Sequence, residues 1–338
     1  MPEFVAEPFR PRRFFSNGHV QTLLGNYLPR RSSLPEPTAE LVEVSGGVSY
    51  QMPSRILCHC HWQPEPIRST RPAIILVHGL EGSSSSQYVL GNAAKLWRAG
   101  ANIVRMNMRN CGGTERLTPT LYHSGLSTDV EAVMTHCLTR YSLQSIALAG
   151  YSMGGNLVLK LAGDLGPAAP PQLKAVVGVS PAVDLAASAD ALHEPLNRLY
   201  ERHFLKALAR RFRRKASLFP RVYDPNRTVG IDSLRQWDDR ITALYCGFTG
   251  AADYYARAAA ARVIDRIAVP TLILHANDDP FVRLIPSTRE KILANPHITF
   301  LDEAHGGHCA FLSSPDPQKK DDGYWAETTL LRFILAHP

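Results

Sequence analysis

Short apolar, β-branched runs recur along the chain at residues 73–77, 103–108, 145–149, 175–179 and 271–274. Runs of this length, apolar without alternation, read as strands buried on both faces of a parallel sheet. Segments with helical periodicity lie between them, at 88–98, 128–140 and 154–162. The alternation predicts a doubly wound α/β sheet with helices on both faces, because right-handed crossovers alternate the layers. It breaks after Val179. From Asp184 onward the chain is helical, basic and interrupted by proline, with no convincing strand before Thr271. The expected organisation is therefore one domain: an N-terminal arm (about 1–45), a core (about 46–183 and 262–338) and a lid-like insertion (about 184–261) over the strand ends.

With 338 residues, 45% apolar and 20% charged, the chain can bury a sizeable core and has the balance of a globular protein. The first fifteen residues lack the apolar run and small-residue cleavage site of a signal peptide, and no apolar run approaches the roughly 20 residues that span a bilayer. A cytoplasmic location is expected, in keeping with six scattered cysteines. Cys58-His59-Cys60-His61 looks like a metal site. In a strand, however, the cysteines face one way and the histidines the other, so no metal and no cofactor are expected.

The net charge of +7 is concentrated in one segment. Residues 198–215 hold eight Lys or Arg against one acid, Glu201. There Tyr200, Phe204, Leu208 and Phe212 recur every fourth residue, so a helix gathers them on one stripe, with Arg202, Lys206, Arg210 and Arg213 on flanking and opposite faces. The plain reading is a lid helix packed on the core. A sharper one is peripheral contact with an anionic membrane surface through 198–215. Nucleic-acid binding is not expected, since no base-reading motif accompanies the charge.

The chemistry centres on Gly150-Tyr151-Ser152-Met153-Gly154. The string G-x-S-x-G is weak alone, but here it joins a strand directly to a helix, the turn that lifts a serine side chain out of the sheet. A serine hydroxyl needs a base to take its proton and a group to orient that base. Asp278 and Asp279, after the strand 271–274, compete as the acid, and the turn position beside Pro280 favours Asp279. His305 and His308 compete as the base, and the paired glycines before it favour His308. Developing negative charge on the substrate oxygen requires two N–H donors. Met153, after the serine, and Leu80, in the loop His78-Gly79-Leu80-Glu81-Gly82, are the expected ones. His78 lies too early in the chain to be the base. The order Ser152, Asp279, His308 is that of the α/β hydrolases.

These residues resemble the α/β-hydrolase superfamily, and within it the YheT-like bacterial hydrolases and their ABHD-type eukaryotic relatives. The likeness extends to Ser16-Asn17-Gly18-His19-Val20-Gln21-Thr22, to His78 through Ser83, and to Arg109-Asn110-Cys111-Gly112-Gly113-Thr114. It also takes in Tyr122-His123-Ser124-Gly125 with Asp129, Trp237-Asp238-Asp239 with Ile241-Thr242, and Asp253-Tyr254-Tyr255. It implies an α/β-hydrolase fold and a triad of Ser152, Asp279 and His308. Asn110 departs from the glycine common at its position. The expected activity is hydrolysis of carboxylic esters, acylglycerols or other medium-chain acyl esters among them, through an acyl-enzyme on Ser152. The alternatives are acyl transfer to an alcohol by the same residues and a hydrolase-like binding protein.

Overall fold

In the computed structural model, which describes residues 4–30, 33–46, 53–316, 318 and 321–338, the chain opens with helix α1 (Gly18–Tyr27). Then come strands β1 (Thr38–Val44), β2 (Ser54–His61) and β3 (Ala73–Val77), helix α2 (Gln87–Arg98) and strand β4 (Asn102–Met106). Next are α3 (Ser127–Tyr141), β5 (Ile146–Tyr151), α4 (Met153–Leu165) and β6 (Leu173–Val179). The insertion supplies α5 (Leu185–Leu192), α6 (Arg198–Leu218), α7 (Leu234–Trp237), a π-helical turn (Asp238–Ala243), α8 (Leu244–Cys246) and α9 (Ala251–Ala258). The chain closes with β7 (Thr271–Ala276), α10 (Pro286–Ala294), β8 (Ile298–Glu303) and α11 (Trp325–Ala336).

Among the described residues eight strands form one sheet, in the order β1-β2-β4-β3-β5-β6-β7-β8. The pairings of β1 with β2 and β2 with β4 are antiparallel, and every other pairing is parallel. Every residue of β3, β4, β5 and β7 is buried, as their unbroken apolar runs predict. One apolar layer fills the face under α3 and α4, and a second fills the face under α2 and α11. The stretch expected as an arm holds more structure than its sequence pattern predicts, namely α1 and the edge strand β1. In β2, Cys58 and Cys60 enter the core, whereas His59 bonds Ser84 Oγ (2.7 Å) and His61 lies 3.2 Å from Arg105 Nε.

The basic helix α6 forms as its stripe predicts, with Leu208 and Phe212 buried and Arg202, Lys206, Arg210 and Arg213 exposed. Two of its cations turn inward. Arg211 Nε donates to Glu81 Oε1 and Oε2 at 2.9 and 3.1 Å. Lys215 is fully buried, and its ammonium donates to Asn110 Oδ1 (2.7 Å) and to the carbonyls of Glu115 (2.9 Å) and Thr118. Burial lowers its pKa to about 7. Asn110 adopts a left-handed φ of 64°. Asparagine tolerates that conformation better than other non-glycine residues, so its departure from glycine preserves the turn and adds an acceptor for Lys215.

Candidate active site

Ser152 stands between β5 and α4 at φ 54° and ψ −118°, a conformation that a side chain adopts only where its surroundings impose it. Two contacts impose it here. A Cβ on Gly150 would stand 2.1 Å from the Gly154 carbonyl oxygen, and one on Gly154 would stand 2.4 Å from the carbonyl oxygens of Val77 and His78. Only glycine lets the turn close this tightly and lets α4 start against the end of β3. The Ser152 N–H donates to Val179 O at 2.9 Å, which ties the turn to β6.

The structure brings Asp279 and His308 together. His308 Nδ1 lies 2.8 Å from Asp279 Oδ2, and the Asp279 side chain is fully buried. Its other oxygen, Oδ1, accepts the N–H groups of Phe281 (3.1 Å) and Val282 (2.9 Å), so the carboxylate is held at both ends. A carboxylate only accepts, so the Nδ1 proton belongs to His308, and in the neutral imidazole Nε2 carries the lone pair. The Phe281 ring covers the imidazole at a centroid distance of 4.4 Å. Cys309 Sγ lies 3.6 Å from His308 Nε2 and 3.7 Å from Val179 O, the carbonyl that also receives the Ser152 N–H. Serine turn and histidine loop thus converge on one strand end.

Burial pulls the imidazole pKa of His308 down, but the Asp279 carboxylate and the neighbouring Cys309 together outweigh it and hold the value well above the ordinary 6.5. A base must be neutral to accept a proton, so kcat/KM is expected to fall as pH drops through a midpoint above 6.5. Asp279→Asn removes the charge that raises the pKa, so any residual activity should show its acid limb at lower pH. A pH–rate profile of both proteins checks this, and an unmoved limb would detach it from His308.

The competing residues occupy other places. Asp278 Oδ1 accepts the Gly307 N–H at 2.8 Å, and its Oδ2 is 3.4 Å from Nδ1 of the half-exposed His305. Asp278 therefore braces the turn before His308. His78 is buried with both ring nitrogens engaged, Nδ1 donating to Gly79 O (2.7 Å) and Nε2 accepting from Met108 N–H (3.1 Å). Burial lowers its pKa to about 4, so it stays neutral and shapes its loop.

That loop lies against the serine, since a Cβ on Gly79 would be 3.2 Å from Ser152 Cβ. The Gly79 N–H is taken by the Tyr88 hydroxyl at 2.8 Å. The N–H groups of Leu80 and Met153 donate to no acceptor among the described residues. Glu81, at a left-handed φ of 59°, is fixed by Arg211 and by the Tyr122 hydroxyl, which donates to Oε1 at 2.6 Å. The insertion thereby reaches the residue next to Leu80, a tie that sequence spacing did not reveal.

Ser152, Leu80 and Met153 open into a cleft of about 1030 Å³, part of it open to solvent. Leu185, Leu192, Phe204, Leu208 and Phe212 from the insertion make its walls apolar. Asp238, in the π-helical turn, also borders the cleft. Its oxygens accept from Thr242 Oγ1 and the Tyr255 hydroxyl, both at 2.8 Å, and burial raises its pKa to about 6.

Residues 72–315 match a family model described as the alpha/beta hydrolase fold, so the chain belongs to the α/β-hydrolase family. Within that family it is of the YheT/ABHD type. It is 31% identical over 309 residues to YheT of Escherichia coli (strain K12), whose esterase assignment is provisional, covering 90% of this chain and 87% of that one. It is 32% identical over 252 residues to phospholipase ABHD3 of Mus musculus, covering 74% of this chain and 61% of the relative. An esterase of Pyrococcus furiosus has a similar fold, with a TM-score of 0.55 at 13% identity over 91% of this chain and 97% of that one. Among the described residues no helix is long and apolar enough to cross a membrane.

Proposed function

We propose that this carboxylic ester hydrolase works through an acyl-enzyme on Ser152, with His308 as general base, Asp279 as its orienting partner, and the Leu80 and Met153 N–H groups as the oxyanion hole. The observation that carries the reading is the Asp279–His308 pair, which turns Nε2, with Cys309 Sγ beside it, toward the strand end that also carries Ser152. Ser152 Oγ attacks the ester carbonyl carbon while its proton passes to Nε2, and the oxyanion forms against the two N–H groups. Collapse breaks the ester bond, and the departing alkoxide takes the proton from His308. Water then attacks the acyl carbon and gives a proton to His308. The carboxylic acid leaves as Ser152 recovers that proton.

The apolar cleft supports an acyl chain as the part of the substrate it holds, in medium-chain acyl esters and acylglycerols. The phospholipase and esterase names of the relatives agree with this class. Each methylene buried is worth about 0.8 kcal/mol, or roughly fourfold in kcat/KM. Along p-nitrophenyl esters of increasing length, kcat/KM should climb by about that factor per methylene until the cleft is full. A series indifferent to chain length would contradict the assignment. With an alcohol added, the free acid should remain the main product, and accumulation of the new ester would move the reading to acyl transfer.

We also propose that the exposed face of α6 contacts anionic membrane surfaces. Arg202, Lys206, Arg210 and Arg213 face solvent beside Leu196 and Leu199, which are 81% and 77% exposed. An electrostatic attachment weakens as the Debye length falls from about 30 Å at 0.01 M salt to about 8 Å at 0.15 M. Co-sedimentation with anionic vesicles should therefore be strong at low salt, weak at the higher level, and lost when those four cations become glutamine. Absence of binding at low salt, or binding that survives the substitutions, would sink the proposal.

A further inference from the structure

The loop that carries His308 has an unusual backbone, closed on itself by one bond from Phe311 N–H to Gly306 O (3.0 Å). Gly306 and Gly307 precede the histidine at φ 149° and 56°, and Cys309 follows at φ 61°. Three successive backbone amides in this loop are also pinned by side chains from three distant segments. Gly307 N–H donates to Asp278 Oδ1 (2.8 Å), His308 N–H to Thr22 Oγ1 (2.8 Å), and Cys309 N–H to Ser180 Oγ (3.0 Å). Ser180 follows β6 directly, and Asp278 lies two residues past β7. Thr22 comes from α1, 286 residues away along the chain.

The rest of α1 is shaped to deliver that hydroxyl. The Thr22 proton is committed to Gly18 O at 2.6 Å, which leaves the oxygen lone pairs for the His308 N–H. A Cβ on Gly18 would stand 1.9 Å from Asp278 O, and one on Gly307 would stand 2.4 Å from Gly18 O, so the helix and the loop interlock without side chains between them. Gln21, fully buried, binds residue 312 from both ends of its amide, accepting its N–H at 2.8 Å and donating to its carbonyl at 3.2 Å. His19 stacks on Tyr200 of the lid helix, Tyr200 packs on Phe281, and Phe281 covers His308. The segment Ser16–Thr22, which the chemistry left unused, touches the base loop on one side and the lid on the other.

We infer that Thr22 is a positioning residue for the base: its hydroxyl fixes the His308 backbone so that Nδ1 meets Asp279 and Nε2 faces the serine. The inference rests on the reading of His308 as general base. Thr22→Val keeps the shape and removes the acceptor. A displacement of about 1 Å at a catalytic group costs up to roughly a hundredfold. Thr22→Val should therefore lower kcat on p-nitrophenyl butyrate about 10- to 100-fold with KM within about twofold, and move the acid limb of the pH profile downward as the Asp279 contact loosens. It should also shift or broaden the downfield proton resonance of His308 Nδ1–H. Thr22→Ser, which restores the hydroxyl, should restore all three. If Thr22→Val does not fold, Thr22→Ala is read by the same criteria. A wild-type kcat, pH midpoint and Nδ1–H resonance in the folded variant, with only the melting temperature lowered, would overturn the inference, as would failure of Thr22→Ser to rescue. His308→Gln separates this from the underlying mechanism: wild-type turnover in that variant would overturn the base itself, whereas an inactive His308→Gln beside a fully active Thr22→Val overturns only the positioning role.

Discussion

Ser152→Ala is expected to lower kcat on ester substrates about 10⁶-fold, the scale seen when a triad serine is removed, while the protein folds as before. The size of the effect follows from the chemistry: no other hydroxyl is proposed to attack the carbonyl, and the oxyanion donors and cleft that remain retain only a small residual acceleration. The intact fold follows from the local geometry. Alanine keeps the Cβ that already tolerates φ 54°, and the Ser152 backbone bonds to Val179 O, Ala182 N–H and Asn156 N–H do not involve the side chain. Initial rates and a thermal melt of the purified variant check both halves. Near wild-type turnover in the folded variant would contradict the mechanism.

Asp279→Asn is expected to lower kcat about 10⁴-fold, because it imposes the wrong tautomer on His308. The direction is set by the backbone around the side chain. The N–H groups of Phe281 and Val282 both donate to Oδ1, so the asparagine carbonyl oxygen must take that place and its NH₂ group must take the place of Oδ2. The NH₂ group then faces His308 Nδ1 as a donor. The imidazole answers by accepting at Nδ1 and carrying its proton on Nε2, where it can no longer take one from serine. Asp278→Asn has no such consequence, since an amide oxygen still accepts the Gly307 N–H and the other carboxylate oxygen, 3.4 Å from His305 Nδ1, does not reach His308. Its loss of kcat should stay within about fivefold. Rates of the two variants side by side check the assignment, and the reverse order of effects would move the role to Asp278.

The parts of this molecule that were legible in its sequence are those whose physics is local or periodic. Strands β3 and β5 are buried on both faces and so write themselves as unbroken apolar runs. The elbow at Ser152 is a strand, a tight turn and a helix in immediate succession, and the acid and base could be placed relative to strand ends. Strands β1 and β2, at one side of the sheet, were not legible for the same reason. In β1 most residues are exposed or half-buried, with Glu40 and Glu43 among them, and β2 alternates cysteine with histidine rather than running apolar. Arg211 and Lys215 obey the helical period, yet a period does not say that Glu81 or a cage of carbonyls waits on the inner side. Thr22 was visible only as part of a motif, because its bond to His308 crosses nearly the whole chain.

The central claim is that Ser152 is the residue that becomes acylated, and a fluorophosphonate probe reports on it most directly. The probe forms a stable bond to an activated serine oxygen and can be located by peptide mass mapping. One phosphonyl group is predicted per chain, on the peptide containing Ser152, absent from Ser152→Ala and slowed in Asp279→Asn and His308→Gln. A folded, esterase-active protein that takes up no probe, or carries it on another residue, would contradict the account.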